Sequence, residues 1–205
     1  MYLSLIHGVE DKQPKDEASC VPLHYAAGNG HVETCKMILE KMQDKNPADD
    51  NGSTPLGFAV QQGHTEICQI IINELDDKNP GDSDGLTTFH QAAMMGNFKI
   101  CKMIIDQVRD KNPRDHIGCT PLHAAAYKGN FASCKMILDQ VPDKNPRNNM
   151  GWTPLHAAAK KGHIKICEII INNIDEKNPS DDDGITPRAL WLEKSQKVLS
   201  LFDNQ

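Results

Sequence analysis

A repeat of 33 residues restricts the fold of this chain more than any other feature of its sequence. The tetrapeptide Asp-Lys-Asn-Pro recurs at this spacing, at 44–47, 77–80, 110–113 and 143–146. A glycine and a cysteine recur in the same register, at Gly30, Gly63, Gly96, Gly129 and Gly162 and at Cys35, Cys68, Cys101, Cys134 and Cys167. A constant period without insertions predicts similar units, each packed against its neighbours along the chain.

The unit at 44–76 shows why each repeat is expected to form two helices. Thr54 is placed to cap the first helix through its hydroxyl, and Pro55 follows at the position where a missing N–H costs nothing. Gly63 then ends that helix in a left-handed conformation. The apolar residues of 67–75 mix spacings of three and four, which indicates a second helix with one broad apolar face. Because such a pair cannot bury its own apolar surface, the repeats are predicted to stack into a solenoid.

The tetrapeptide Thr-Pro-Leu-His, at 120–123 and 153–156, together with the period of 33 residues, resembles the signature of ankyrin repeats. The resemblance covers essentially the whole chain. It implies an all-α repeat solenoid of helix-turn-helix units joined by β-hairpin-like loops, with hairpin tips and first helices lining a concave face. Ser19 replaces a loop glycine and Thr88-Phe89 replaces Pro-Leu, so irregular hairpins or helix starts are expected in repeats one and three.

The repeat register predicts a single ankyrin-repeat domain over residues 1–205. An N-terminal half-repeat occupies 1–10, and a C-terminal capping repeat occupies 176–205. The five full repeats lie between them, at 11–43, 44–76, 77–109, 110–142 and 143–175. Trp191, in the capping repeat, is expected to pack rather than to bind a partner.

Composition and the N-terminus argue against several other classes of protein. The net charge of −6 makes wholesale attraction to nucleic acid or anionic lipid unexpected. The longest apolar runs, such as 70–72, fall far short of the roughly 18 to 20 residues that span a bilayer, so no transmembrane segment is expected. The start at 1–8 lacks the basic region of a secretory signal. The protein is therefore expected to be intracellular, in the cytoplasm.

Seven cysteines raise the question of metal or redox chemistry. Five of them occupy one repeat position, and stacked helices lie about 8 to 10 Å apart, farther than the roughly 4.4 to 6.8 Å between Cα atoms in a disulfide. No Cys-x-x-Cys pair exists. These five are predicted to be buried structural thiols, and no metal or cofactor is expected. Cys20 and Cys119 lie in hairpins, where exposed and reactive thiols are an alternative.

The histidines fall into repeat columns that favour structural roles. The resemblance implies that the signature histidines bond the neighbouring hairpin backbone and the capping threonine; these are His24, His90, His123 and His156. A second column follows the turn glycines and is interpreted as solvated turn residues: His31, His64 and His163. The sequence offers no nucleophile with an oriented base and no phosphate-binding loop. The protein is therefore predicted not to be an enzyme.

An asparagine recurs in the Asp-Lys-Asn-Pro motif and its last variant, at Asn46, Asn79, Asn112, Asn145 and Asn178. Because asparagine tolerates the left-handed conformation, a backbone role in the turn is predicted. The family resemblance adds an alternative, since the corresponding asparagine of some ankyrin repeats is an acceptor for an asparaginyl hydroxylase.

Residues that contact a partner are expected where side chains vary between repeats and point outward. In repeats three to five these positions include several large apolar side chains, which on an exposed face indicate an interaction site. The predicted partner-binding residues are Leu86, Met94, Met95, His116, Ile117, Tyr127, Lys128, Met150, Trp152, Lys160 and Lys161. Two alternatives remain open: Trp152 lies along its hairpin and stabilises the next repeat, and Met94 and Met95 pack between helices.

Charge is distributed unevenly along the repeats. Residues 44–76 contain one lysine and six acids, a net charge of −5, whereas residues 143–175 have a net charge of +2. The basic end includes Arg114, Lys128, Arg147, Lys160 and Lys161. A partner of opposite polarity would be oriented by this distribution, mainly through its association rate and specificity.

Together these features predict a non-catalytic protein–protein interaction module, a scaffold that binds a protein or peptide partner on its concave face. Stacked repeats would fix the hairpin tips before contact, so that less ordering entropy is lost on binding. No small-molecule substrate is expected. Two alternatives belong to other classes: nucleic-acid or phosphoinositide binding through the basic end in repeats four and five, and a purely architectural spacer.

Overall fold

The computed structural model describes residues 14–192 of the 205-residue chain. Within that range the chain forms eleven α-helices: α1 (Pro22–Gly28), α2 (Val32–Lys41), α3 (Pro55–Gln62), α4 (Thr65–Glu74), α5 (Thr88–Met95), α6 (Phe98–Ile105), α7 (Pro121–Lys128), α8 (Phe131–Gln140), α9 (Pro154–Lys161), α10 (Ile164–Ile171) and α11 (Pro187–Leu192). None of these helices is both long enough and apolar enough to cross a bilayer.

The chain divides into two compact units, Met1–Ser83 and Asp84–Gln205. In the first unit α1 packs on α3 and α2 packs on α4, and each repeat's two helices pack on each other. In the second unit the first helices α5, α7, α9 and α11 form one row, and the second helices α6, α8 and α10 form another. Within each unit, the predicted stacking of helix pairs is therefore confirmed.

The first helices begin where the threonine and proline signals place them. Thr54 accepts a hydrogen bond from the N–H of Gly57 at its hydroxyl oxygen, 3.2 Å away, and α3 begins at Pro55. In repeat three the Thr87 and His90 pair forms a capping box. Helix α5 consequently has eight residues, the same length as α3, α7 and α9. The expected irregular helix start therefore does not occur in repeat three.

The first hairpin also keeps its regular turn. Ser19 adopts a φ of 62°, in the left-handed region that glycine occupies at the corresponding position of the other hairpins, for example Gly118 with a φ of 78°. The backbone conformation is therefore retained although Ser19 carries a side chain, and the expected irregularity of this hairpin is not observed.

The repeated cysteines lie in the core, as predicted. Cys35, Cys68, Cys101, Cys134 and Cys167 are all fully buried and all free of disulfides. Burial raises the pKa of Cys35 to about 11 and the pKa of the other four to about 12. These thiols therefore stay protonated and act as small apolar core residues.

The two hairpin cysteines do not provide exposed thiols. Cys20 is buried, and its Sγ lies 3.7 Å from a carboxylate oxygen of Asp49. Cys119 is half-buried. Burial raises the pKa of both thiols, so the alternative of an exposed, reactive cysteine is wrong for Cys20 and is not favoured at Cys119.

The repeated asparagines do not adopt the left-handed conformation, so the ground given for their predicted backbone role is wrong. Among the described residues, Ser19 is the one non-glycine residue with a positive φ. Instead the preceding aspartate forms an Asx turn, in which Asp44 Oδ1 accepts the N–H of Asn46 at 3.0 Å. The Asn46 side chain in turn accepts the N–H of Leu56, 3.0 Å away, and so ties the loop to the start of α3.

The ends of the chain are described in part. Trp191 on α11 is 1% exposed, which confirms that it packs. The predicted N-terminal half-repeat, 1–10, lies outside the described residues, and so do residues 193–205 of the predicted capping repeat.

Candidate partner-binding face

Buried histidines of α1, α5, α7 and α9 fix the hairpin that follows each of these helices in the next repeat. The Nε2 of His123 donates to the carbonyl oxygen of Trp152 at 3.0 Å, and its Nδ1 accepts the N–H of Thr120 at 3.1 Å. His156 makes the corresponding bond to the carbonyl of Ile185 at 3.1 Å. Burial lowers the pKa of His123 to about 4, so the ring is neutral and can accept at Nδ1. The expectation drawn from the family resemblance is confirmed for His90, His123 and His156, whereas His24 bonds the Ser53 carbonyl but has Val21 in place of the capping threonine.

Backbone hydrogen bonds join the tips of successive hairpins in the second unit. The N–H of Asn149 donates to the carbonyl of Ile117 at 3.0 Å, and the N–H of Asp182 donates to the carbonyl of Met150 at 3.2 Å. Ile117 and Met150 therefore occupy equivalent places on neighbouring tips. Each side chain is 55% exposed, so two large apolar groups project from adjacent hairpins.

Two arginines reinforce the same hairpins through a contact that the sequence analysis missed. Arg114 Nη1 donates to the carbonyls of Gly118, at 3.0 Å, and Arg147, at 2.6 Å. Arg147 in turn donates to the carbonyl of Ser180, 33 residues later, at 2.5 Å. A signal existed in the sequence, because both arginines directly follow the proline of the repeated motif. Both guanidinium groups therefore contribute to the framework, although the two residues remain exposed.

Trp152 connects its own repeat to the hairpin that follows. Its Nε1 donates to Asp181 Oδ2 at 2.8 Å, and its ring stacks on His156 with centroids 5.8 Å apart. The Nζ of Lys160 lies over the Trp152 ring, 4.8 Å from its centroid. Trp152 is half-buried as a result. These contacts favour the alternative interpretation, in which Trp152 stabilises the next repeat.

Tyr127 and Lys161 form a second pair of an aromatic ring and a cation. The Nζ of Lys161, on α9, lies 4.3 Å from the ring centroid of Tyr127, on α7. Tyr127 is 42% exposed. A hydrogen bond from Lys161 and the charges of Lys161, Lys128 and Lys160 lower the pKa of its hydroxyl. Four predicted site residues thus form two cation–aromatic pairs, Lys161 with Tyr127 and Lys160 with Trp152. These residues come from α7, α9 and the hairpin that precedes α9.

The remaining predicted site residues differ in exposure. Met95 ends α5 and is 46% exposed, and Lys128 ends α7 and is also exposed. His116 is exposed at a hairpin tip. Leu86 and Met94 are half-buried. Partial burial of Met94 favours the alternative in which it contributes to packing, whereas Met95 remains accessible.

The turn residues after the first helices have a structural role that the sequence analysis missed. The Nε2 of His163 lies 3.2 Å from the carbonyl of Tyr127, and that of His64 lies 3.1 Å from the carbonyl of Gly28. In the same column Asn130 donates to the carbonyls of Ala93 and Met94, at 2.9 and 2.8 Å. The interpretation of His64 and His163 as solvated turn residues is therefore wrong, since both bond a carbonyl of the preceding repeat.

Two exposed phenylalanines also lie outside the predicted set. Phe98 and Phe131 begin α6 and α8 and are 45% and 40% exposed. Their sequence position is that of a second-helix start, where the apolar periodicity gives no indication of exposure. Among the described residues, no group of three or more histidine, cysteine, aspartate or glutamate side chains could hold a metal ion.

Comparison with known proteins places this architecture in a family. The family model described as ankyrin repeats (3 copies) matches residues 3–84, 23–115 and 89–183. The structure is similar to the crystal structure of an ankyrin repeat domain from Acinetobacter baumannii, with a TM-score of 0.77 and 26% sequence identity. That similarity covers 88% of this chain and 95% of the other. Among curated proteins, none matches this sequence. The chain belongs to the ankyrin repeat family.

Proposed function

We propose that this protein is a non-catalytic module that binds a protein or peptide partner through hairpin tips and first helices of its second unit. Ankyrin repeats are generally protein–protein interaction modules, and this chain shares their repeat and fold. The proposed contact surface, here called the tip-and-helix face, consists of Leu86, Met94, Met95, His116, Ile117, Tyr127, Lys128, Met150, Trp152, Lys160 and Lys161.

Exposed apolar side chains at equivalent places in successive repeats are the observation that carries this proposal. Ile117 and Met150 are each 55% exposed on adjacent tips, whereas Leu122 and Leu155, which begin the helices behind them, are fully buried. Exposed apolar surface costs about 25 cal/mol per Å² relative to burial. Apolar side chains that stay exposed on an otherwise well-buried framework are typical of an interaction site.

The rigidity of the framework supports the same proposal. The bond from His123 to the Trp152 carbonyl, and the bond from Arg114 to the Arg147 carbonyl, hold neighbouring hairpins before any partner arrives. A surface that is already ordered loses less conformational entropy on binding than a flexible loop does. Binding free energy from contacts at Ile117 and Met150 is then not consumed in ordering the tips.

The proposal is tested by removing the apolar tips without touching the hydrogen-bonded framework. The double variant Ile117→Ser with Met150→Ser is compared with wild-type protein in affinity capture from the native cell type, with bound proteins quantified by mass spectrometry. Met37→Ser is the matched control, because Met37 is 42% exposed but lies on the second helix α2 of the other unit. We expect the double variant to lose the specifically captured proteins and the control to retain them. Equal capture by all three proteins would exclude the tip-and-helix face as the binding site.

A further inference from the structure

We infer that the partner segment is an acidic peptide, whose carboxylates bind a cluster formed by Tyr127, Lys128, Trp152, Lys160 and Lys161. This inference rests on the proposed function, because it specifies the chemistry of the partner at the tip-and-helix face. The five residues are named the lysine–aromatic cluster.

The cations of this cluster lack acidic partners within the described part of the chain. Three lysines outside the cluster lie near carboxylates: Lys36 is 2.8 Å from Glu33, Lys45 is 3.9 Å from Glu74, and Lys102 is 3.0 Å from Asp106. Within residues 14–192, by contrast, no carboxylate oxygen lies within 4.0 Å of the ammonium groups of Lys128, Lys160 and Lys161. Three exposed positive charges therefore lie on the proposed face without a carboxylate beside them.

Two aromatic rings hold the ammonium groups in place. Lys161 Nζ lies 4.3 Å from the Tyr127 centroid and Lys160 Nζ lies 4.8 Å from the Trp152 centroid. A cation above a ring face keeps N–H donors directed away from the ring, because the ring engages one side of the ammonium group. The pairing thus restricts two flexible side chains and leaves donors for an incoming carboxylate.

The three lysines also act on one region of the surface. Lys161 lies against the Tyr127 ring, and the charges of Lys161, Lys128 and Lys160 all lower the pKa of the Tyr127 hydroxyl. Lys128 ends α7, whereas Lys160 and Lys161 end α9, the next first helix in the row. Such a spread matches two or three carboxylates along an extended segment better than a single anion.

An acidic peptide fits the surroundings better than nucleic acid or a phosphoinositide. Arg114 and Arg147, the cations best suited to bind phosphate, donate to backbone carbonyls instead. The net charge of −6 opposes long-range attraction of a polyanion more than that of a short peptide with two or three carboxylates. Ile117 and Met150 offer exposed apolar contacts that peptide side chains can use. The observations therefore favour carboxylates interspersed with apolar residues.

The test is selection of binders from a displayed library of random peptides about twelve residues long, using the complete chain. Wild-type protein is compared with the triple variant Lys128→Gln, Lys160→Gln and Lys161→Gln. The control variant Lys99→Gln, Lys135→Gln and Lys165→Gln has the same change in charge, on exposed positions of the second helices α6, α8 and α10. A labelled single-stranded DNA and vesicles containing phosphoinositide are measured with the same three proteins.

We expect the wild-type and control proteins to select peptides enriched in aspartate and glutamate. These peptides are expected to bind the cluster variant roughly tenfold or more weakly than they bind wild-type protein. Their affinity for wild-type protein is expected to weaken as salt is raised. Selected peptides without acidic enrichment, or with equal affinity for the cluster variant, would overturn the inference and leave the proposed function intact. DNA or vesicle binding that the cluster variant alone loses would also overturn it, in favour of a polyanion. Failure of wild-type protein to enrich any peptide would instead count against the proposed function itself.

Discussion

The indole nitrogen of Trp152 donates a hydrogen bond to Asp181 Oδ2, 2.8 Å away, and thereby joins one repeat to the hairpin of the next. The other oxygen of that carboxylate accepts the N–H groups of Asp183 and Ile185, at 3.0 and 2.7 Å. Asp181 therefore organises its own turn and anchors an aromatic ring from the preceding repeat. This double engagement explains why a half-exposed tryptophan is held in one orientation on the candidate face.

Replacing Trp152 by phenylalanine is predicted to raise the pKa of Asp181. Although desolvation raises that pKa, the hydrogen bonds from Ile185 and from the indole outweigh it and hold the pKa below its usual value. Asp181 therefore contributes stability that is present above its unfolded pKa and is lost as pH falls through its folded pKa. Carbon-13 titration of the Asp181 carboxyl in wild-type protein and Trp152→Phe measures the change.

The companion measurement is thermal unfolding of the same variants near neutral pH. Trp152→Phe is expected to melt at a lower temperature than wild-type protein. Asp181→Asn is expected to lower the melting temperature less in Trp152→Phe than in the wild-type chain. Additive losses, together with an unchanged pKa of Asp181, would show that the indole bond does not couple the two repeats.

Alanine substitutions at two turn glycines distinguish the cost of backbone strain from the cost of disturbed packing between repeats. Gly129 and Gly162 share a φ of 84°, where a side chain costs about 1 to 2 kcal/mol. A Cβ on Gly129 would lie 2.6 Å from Cε1 of His163, whereas a Cβ on Gly162 would meet only Trp191, at 3.8 Å. Gly129→Ala is therefore predicted to destabilise the chain by about 1 kcal/mol more than Gly162→Ala, because His163 must release the carbonyl of Tyr127.

Urea unfolding followed by circular dichroism tests this difference. Gly184→Ala is a suitable control, since Gly184 has a φ of 77° and nothing lies within 4 Å of the added Cβ. Its transition midpoint is expected to fall about as far as that of Gly162→Ala. If Gly129→Ala and Gly162→Ala shifted the midpoint equally, the contact from His163 would not contribute to the free energy of unfolding.

The cysteine column predicts that the folded protein protects most of its thiols from alkylation. A pKa of about 12 instead of 9.0, as at Cys134, lowers the thiolate fraction near pH 8 roughly a thousandfold. Iodoacetamide is therefore expected to modify the half-buried Cys119 first, and to reach all seven cysteines only after unfolding in urea. Loss of the first phase in Cys119→Ser would identify it. Rapid modification of Cys134 in the folded chain would contradict the buried position.

Local signals made the helices predictable, because each of them acts within a few residues. Thr54 caps the helix that follows it directly, and Gly63 ends that helix. The conformation of Asn46 was wrongly predicted because a competing local signal was overlooked: Asp44 closes an Asx turn two residues earlier. Both signals are present in the sequence, and the aspartate, not the asparagine, forms the turn.

Contacts between repeats were less accessible to sequence reasoning. The bond from His163 to the Tyr127 carbonyl links residues 36 positions apart, and no local pattern indicates it. The position of Lys161 over Tyr127 depends on side-chain rotamers as well as on the helix register. The variable positions of the candidate face could therefore be named from the sequence, whereas the pairing of cations with rings required the structure.

His123 provides a prediction for the dependence of stability on pH. Burial lowers its pKa to about 4 in the folded protein, compared with 6.5 for an ordinary histidine. Between these two values the unfolded chain binds a proton that the folded chain does not, so stability rises with pH over this range. This pKa shift corresponds to about 3 kcal/mol of stability that is lost as pH falls from 6.5 to 4.

Two measurements, of His123 itself and of its glutamine variant, check this expectation. The Hε1 resonance of His123 is expected to titrate near pH 4 in the folded protein. His123→Gln removes the titrating ring, so its stability is expected to depend less on pH than that of wild-type protein, and the difference between them to narrow as pH falls toward 4. A midpoint above pH 6, or a difference independent of pH, would show that the ring binds a proton at Nδ1 at no cost from the lost bond to the Thr120 N–H. Because a proton at Nδ1 removes the acceptor of the Thr120 N–H and leaves the Nε2 donor to the Trp152 carbonyl in place, acid is expected to loosen the start of α7 before it loosens the hairpin of the fifth repeat.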